Sequence, residues 1–168
     1  MHSDTDFNHP PARRIGNLAL VTDEDGRVLL VHKNYGNKTW GLPGGCAHAG
    51  EPPHAGWARE VAEETGLHVP RGPLLVMDYM PRNEKDGAAE GYNFVFDGGR
   101  VSSDTNIRLP AAAPGEGPEL IGSDFVALDQ LATFVAPHTE RRILQAVAAL
   151  EEGRHGVYLV EGRAVTAG

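Results

Sequence analysis

The segment from Pro53 to Thr65 constrains this chain most, because only a helix accommodates its periodicity. Pro52 and Pro53 stand where proline is tolerated, before or inside a first helical turn. Gly66 follows as a stop that can enter the left-handed region. At about 100° per residue, Glu60, Glu63 and Glu64 fall within an arc of roughly 100°. Ala55, Ala58, Ala62 and Thr65 take the opposite side, which reads as the face that packs closely on a sheet.

Three like charges so close are unfavourable. Each such pair at i, i+4 costs a helix a few tenths of a kcal/mol. Glu63 and Glu64 also lie near the helix C-terminus, where the macrodipole disfavours anions. A lysine would serve a purely structural helix better. A hard divalent cation reverses the sign of the problem, since Mg²⁺ takes oxygen ligands and bridges carboxylates to phosphates. On the carboxylates alone, two readings stand open: a solvated acidic face and a cation site.

Around this helix the chain alternates strand and turn. Residues 1–12 are polar, carry two prolines and read as a loose tail, with one domain expected over 13–168. Strands are expected at Arg13–Thr22 and Val28–Val31, joined as a hairpin through Asp23-Glu24-Asp25-Gly26. A loop at 34–38 and a Gly/Pro-rich stretch at 40–45 lead to the helix. Beyond it, Leu74–Met80 and Tyr92–Phe96 read as strands flanking a charged loop at 81–91. Residues 110–118 form a second loop, and Phe125–Leu128 a short strand. Thr139 to about Glu152 reads as a helix with Ile143, Val147 and Leu150 inward and Gly153 after its end. Val157–Val160 and Arg163–Val165 complete a terminal hairpin. This order predicts an α/β (α+β) fold, a mixed sheet between helices.

Composition narrows the partners. The net charge of -8 and the lack of any basic cluster beyond Arg13-Arg14 and Arg141-Arg142 argue against long nucleic acid. A small phosphorylated molecule remains compatible. No apolar run reaches the roughly 18–20 residues that span a bilayer, so no membrane partner is expected. Cys46 is the one cysteine, which excludes an internal disulfide and fits a reducing cytoplasm. The expected location is cytoplasmic, as a monomer or a homodimer.

The frame around the helix decides between the two readings of its acidic face. Gly45 is followed by five residues and Glu51, then by seven and Arg59-Glu60-Val61. Ala62-Glu63-Glu64-Thr65-Gly66-Leu67 completes the run. This resembles the signature of the Nudix hydrolase family, G-x5-E-x7-R-E-U-x-E-E-x-G-U with U aliphatic, at every specified position. The preceding Trp40-Gly41-Leu42-Pro43-Gly44 is similar to the approach seen in many members. The resemblance implies an α/β/α sandwich with a mixed, partly antiparallel sheet. It implies hydrolysis of a diphosphate bond in a nucleoside diphosphate derivative or a nucleoside triphosphate, with Mg²⁺ as cofactor and Mn²⁺ as a substitute. It also implies metal ligands at Glu60, Glu63, Glu64 and the Gly44 carbonyl, and structural support of the site from Gly45, Glu51, Arg59 and Gly66. Arg59 is expected to pair with Glu51, with phosphate contact as the alternative.

Outside the signature, many members carry a carboxylate six residues before a late-strand tryptophan. Glu119 stands six residues before Phe125, which makes it a candidate ligand or base alongside catalytic candidates Glu60 and Glu63. Glu84 and Glu90 are its rivals. Lys33, Arg82, Arg141 and Arg142 are candidate phosphate contacts. Tyr79, Tyr92 and Phe94 either stack on a base or fill the core. A second class fits the same resemblance, a Nudix-like module that binds nucleotides without cleaving them. Such modules often lose signature carboxylates, and all are present here.

Overall fold

The computed structural model describes residues 10–34, 39–85 and 87–165. Most of the expected tail (1–9), most of the expected 34–38 loop (35–38) and Asp86 of the 81–91 loop lie outside the described residues. The strands are β1 (Arg14–Thr22), β2 (Val28–Lys33), β3 (Trp40–Gly41), β4 (Gly44–Cys46), β5 (Leu74–Met80), β6 (Gly91–Arg100), β7 (Leu120–Val126), β8 (Val157–Val160) and β9 (Arg163–Ala164). The helices are α1 (Pro53–Thr65), α2 (Leu131–Phe134) and α3 (Pro137–Glu151), with a 3₁₀ turn at Leu128–Gln130.

The sheet is mixed. Its order is β3-β2-β1-β6-β5-β8-β9, with β4 added to β1 and β7 added to β2. β1 runs parallel to β6, and β5 runs parallel to β8. The other pairings are antiparallel. The expected β1–β2 hairpin is reduced to a single register pair, Thr22 with Val28. Beyond it β1 turns to β4 and β6, while β2 turns to β3 and β7. The cause is legible in burial: Ala19–Val21 and Val28–Val31 are fully buried on both faces. Strands covered on both faces sit inside a sheet, with neighbours on each edge. Asp23 makes the sharp exit from β1, accepting the N–H groups of Asp25 and Arg27 at 3.0 and 2.8 Å.

Alternate residues of these strands feed two cores. Ala19, Val21 and Leu29 meet Trp57, Val61, Leu67 and Phe96 beneath α1. Leu20, Val28 and Leu30 meet Leu131, Ile143, Ala146 and Ala149 beneath α2 and α3. The result is the expected α/β/α sandwich.

α1 has the expected limits, and Gly66 ends it at φ 69° with its N–H on the Ala62 carbonyl. Its orientation differs from expectation. The buried residues are Gly56, Trp57, Val61, Glu64 and Thr65, while Ala58 is exposed and Ala55 and Ala62 are half-buried. Trp57 and Val61 outweigh the alanines because a large side chain gains several times more from burial than a methyl group. The sheet-facing side is therefore centred next to the glutamates instead of opposite them. On α3 the inward residues are Arg142, Ile143, Ala146 and Ala149. Of the three expected there, Ile143 is fully buried, Val147 is half-buried and Leu150 is exposed.

Candidate active site

β4 is a short glycine strand laid antiparallel against β1, and it brings the turn before α1 back onto the helix. Gly45 fits only because it lacks a side chain: a Cβ there would lie 2.6 Å from the Glu60 carboxyl group. Gly44 has φ 133°, and a Cβ on it would strike the Asn17 carbonyl of β1. The Gly44 N–H donates to Glu64 Oε2 at 2.5 Å, so the third glutamate points into the protein beneath the loop.

Arg59 organises the remaining carboxylates. Its Nε and Nη2 donate to the two oxygens of Glu51, both at 3.0 Å. Its Nη1 reaches Glu60 Oε1 at 2.9 Å and Glu63 Oε2 at 3.0 Å. Glu51 in turn accepts the His48 N–H at 2.8 Å. The bidentate pair expected between Arg59 and Glu51 is present, and it pins the loop to the helix. These contacts hold the Glu51 carboxyl at about 2, the Arg59 hydrogen bonds contributing most and the His48 N–H next. Glu64 behaves oppositely. Burial pushes its carboxyl up to about 7, against the pull of the Gly44 N–H and of Lys33, while Glu60 and Glu119 push it further up.

Glu60, Glu64, Glu119, Lys33 and both glycines line one cleft of about 580 Å³. Glu119 lies just before β7, where its carbonyl accepts the Asn34 N–H at 2.8 Å. Its rivals are placed elsewhere: Glu84 pairs with Arg82 on the surface, and Glu90 pairs with Arg13 and accepts the Tyr79 hydroxyl. Neither lines the cleft. Glu63 is 58% exposed beside Arg59 and is not a lining residue.

The other candidates separate clearly. Arg82 is solvated and Arg141 clamps the β8–β9 turn through the Glu161 carbonyl at 2.8 and 3.1 Å. Tyr79, Tyr92 and Phe94 form an aromatic row whose residues alternate with the cleft-lining Met80 and Asn93, so they face the α1 side of the sheet. Arg142 reaches the cleft from α3, but as a buried ion pair with Asp78 at 2.6 Å.

Among the described residues, no three His, Cys, Asp or Glu side chains already converge as a metal cage. Arg59 supplies the positive charge that Glu60 and Glu63 require in this arrangement. The donors near the cleft are nonetheless hard oxygens: two lining glutamates from α1, Glu119 from the segment before β7, and the tight Gly44-Gly45 turn that a Cβ would fill. That set fits a hard divalent cation.

Residues 12–147 match the sequence model of the NUDIX domain. The chain belongs to the Nudix family. A MutT-like protein of Streptomyces ambofaciens is 41% identical over 69 residues, 41% of this chain and 44% of that protein. An ADP-ribose pyrophosphatase of Mycobacterium tuberculosis is 41% identical over 66 residues, 36% of this chain and 32% of that protein. The Nudix chain thus spans less than half the length of these relatives in its matches. Among solved structures, the MutT protein from Methanosarcina mazei Go1 has a TM-score of 0.63 at 26% identity, covering 84% of this chain and 95% of that one.

Among the lining residues of the Nudix cleft, Arg14, Asn93 and His138 belong neither to the family signature nor to the approach that precedes it. Trp40 stacks on His32 with ring centroids 4.7 Å apart and meets Phe134 edge-on. Arg14 and Asn93 become neighbours only because β1 and β6 pair in parallel, Gly16 beside Asn93. No local pattern in the sequence encodes that pairing.

Proposed function

We propose that this Nudix protein is a hydrolase that uses Mg²⁺, or Mn²⁺, to cut a diphosphate bond in a small nucleotide-like molecule. The observation that carries this reading is the shared cleft of Glu60, Glu64 and Glu119 around the Gly44-Gly45 turn. The relative named an ADP-ribose pyrophosphatase supports the bond type.

In this reading, the carboxylates of Glu60, Glu63, Glu64 and Glu119 and the Gly44 carbonyl would hold the cation. A divalent cation held there would supply neutralisation of diphosphate charge and a more acidic water. Glu119 takes the proton of the attacking water, since it lines the same cleft as Glu60 and Glu64 from the loop before β7. Arg59, tied to Glu51, fixes the direction from which Glu60 and Glu63 approach. Lys33 offsets the crowding of negative charge at Glu64. The products are two phosphate-bearing fragments. The activity resides in one domain over residues 13–168.

The test is a panel assay with Mg²⁺ against nucleoside triphosphates, nucleotide sugars, ADP-ribose, dinucleoside polyphosphates and NADH, with products separated by chromatography. The reading expects cleavage at a diphosphate bond in at least one class. Intact substrates throughout, with the protein folded and cation present, contradict it.

A further inference from the structure

The cleft has a second pole that the family signature does not describe. Asn93 is only 6% exposed, and its Oδ1 accepts Arg14 Nη1 at 2.9 Å. That contact fixes the amide, because a guanidinium only donates. The Asn93 Nδ2 group then has no partner among the described residues. Gly16, beside it on β1, leaves the room the amide occupies: a Cβ there would sit 2.3 Å from Asn93 Oδ1. Arg14 has no carboxylate partner among the described residues. Arg142 completes the wall. It is 5% exposed and spends its Nε on Asp78, while its remaining donors have no partner among the described residues. Asp78 spends one oxygen on Arg142 and the other on the Gly162 N–H, so its charge offsets Arg142 and leaves that of Arg14 uncompensated.

Arg14, Asn93 and Arg142 therefore offer unspent donors and an excess positive charge to the cleft. We infer that Arg14, Asn93 and Arg142 form a subsite for a second phosphate of the substrate, remote from the bond that is cut. β1 sets the spacing. Leu18 pairs with Gly44 at the carboxylate pole, and the Arg14 guanidinium folds back beside Asn93 over Gly16, two residues along the same face and about 7 Å away at the usual strand rise. One nucleoside bridges such a gap. A substrate nucleoside phosphorylated on its 2′- or 3′-oxygen presents acceptors and charge to the wall while its 5′-diphosphate meets the carboxylates. The acceptor edge of a neutral base matches the donors but leaves the charge of Arg14 unanswered. The inference rests on the proposed hydrolase activity only in calling the bound molecule a substrate.

The experiment is calorimetric binding to the full chain in EDTA, where no turnover occurs, so absent hydrolysis leaves its outcome intact. The probes are AMP, adenosine 2′,5′-bisphosphate, adenosine 3′,5′-bisphosphate and GMP. At least one bisphosphate should bind about tenfold more tightly than AMP, as charge-assisted hydrogen bonds do, and the advantage should shrink with added salt. Arg14→Gln and Asn93→Asp, each verified as folded by thermal unfolding, should bring the bisphosphate-to-AMP ratio close to one. Equal binding of AMP and both bisphosphates by the wild-type chain overturns the inference without any variant. A bisphosphate advantage that survives both substitutions also overturns it. A preference for GMP with no bisphosphate advantage assigns the wall to a base edge and overturns it too.

Discussion

Glu60, Glu63 and Glu64 share one helix yet meet three different surroundings, and each surrounding sets a different expectation. Glu64 is buried, and its carboxyl titrates near 7 instead of the usual 4.5. A carboxyl with a raised folded value binds its proton more tightly in the native state. Its contribution is complete below about 4.5 and is lost as pH rises through about 7. Without cation, stability should fall across that window by on the order of 3 kcal/mol, and Glu64→Gln should flatten the slope, as denaturant titrations at several pH values can measure. Cation affinity should weaken below pH 7, because binding must displace that proton. Glu63 is exposed and held by Arg59. Glu63→Gln should keep the fold and lower turnover by on the order of 10²–10⁴ if it ligates cation or handles a proton, measured as kcat at saturating Mg²⁺. Glu119 and Glu116 share one loop, but only Glu119 lines the cleft. Glu119→Gln should therefore reduce turnover far more than Glu116→Gln. Similar small effects from the two would remove Glu119 from the mechanism.

At the scale of elements, α1 was legible in its limits and misread in its facing. The helix wheel locates the glutamates correctly, but their repulsion and the small alanines say nothing about where Trp57 goes. Stability measurements check the observed facing. Trp57→Ala should cost about 3–5 kcal/mol, while Ala58→Gln should stay within about 0.5 kcal/mol. If the Ala58 side were the packed one, as the positions of the alanines alone predict, a glutamine there would be costly. Strands β5, β8 and β9 were readable because alternation and turn residues mark them locally. The parting of β1 from β2, and the pairing of β1 with β6, depend on contacts between distant segments. The signature residues of the site were readable for a related reason: their spacing is local to one loop and one helix. Glu119 was reached only through its offset from Phe125, and Arg14 and Asn93 through no signal at all, since they meet across 79 positions of sequence.

For the whole molecule, the net charge of -8 and the donor wall describe a protein that discourages polyanions while holding positive charge inside one cleft. Among the described residues no helix is long and apolar enough to cross a membrane. The central claim joins the Nudix fold to cation-dependent cleavage of a diphosphate, and the rival is a module that binds without cutting. The decisive measurement is the initial rate of hydrolysis of the best panel substrate by protein stripped with EDTA, followed as Mg²⁺ is returned and product identity is tracked. The account predicts no turnover at verified zero metal, recovery that saturates with Mg²⁺ or Mn²⁺, and products that each retain phosphate. Full turnover in the stripped protein, or tight binding with no cleavage at any cation concentration, would contradict it.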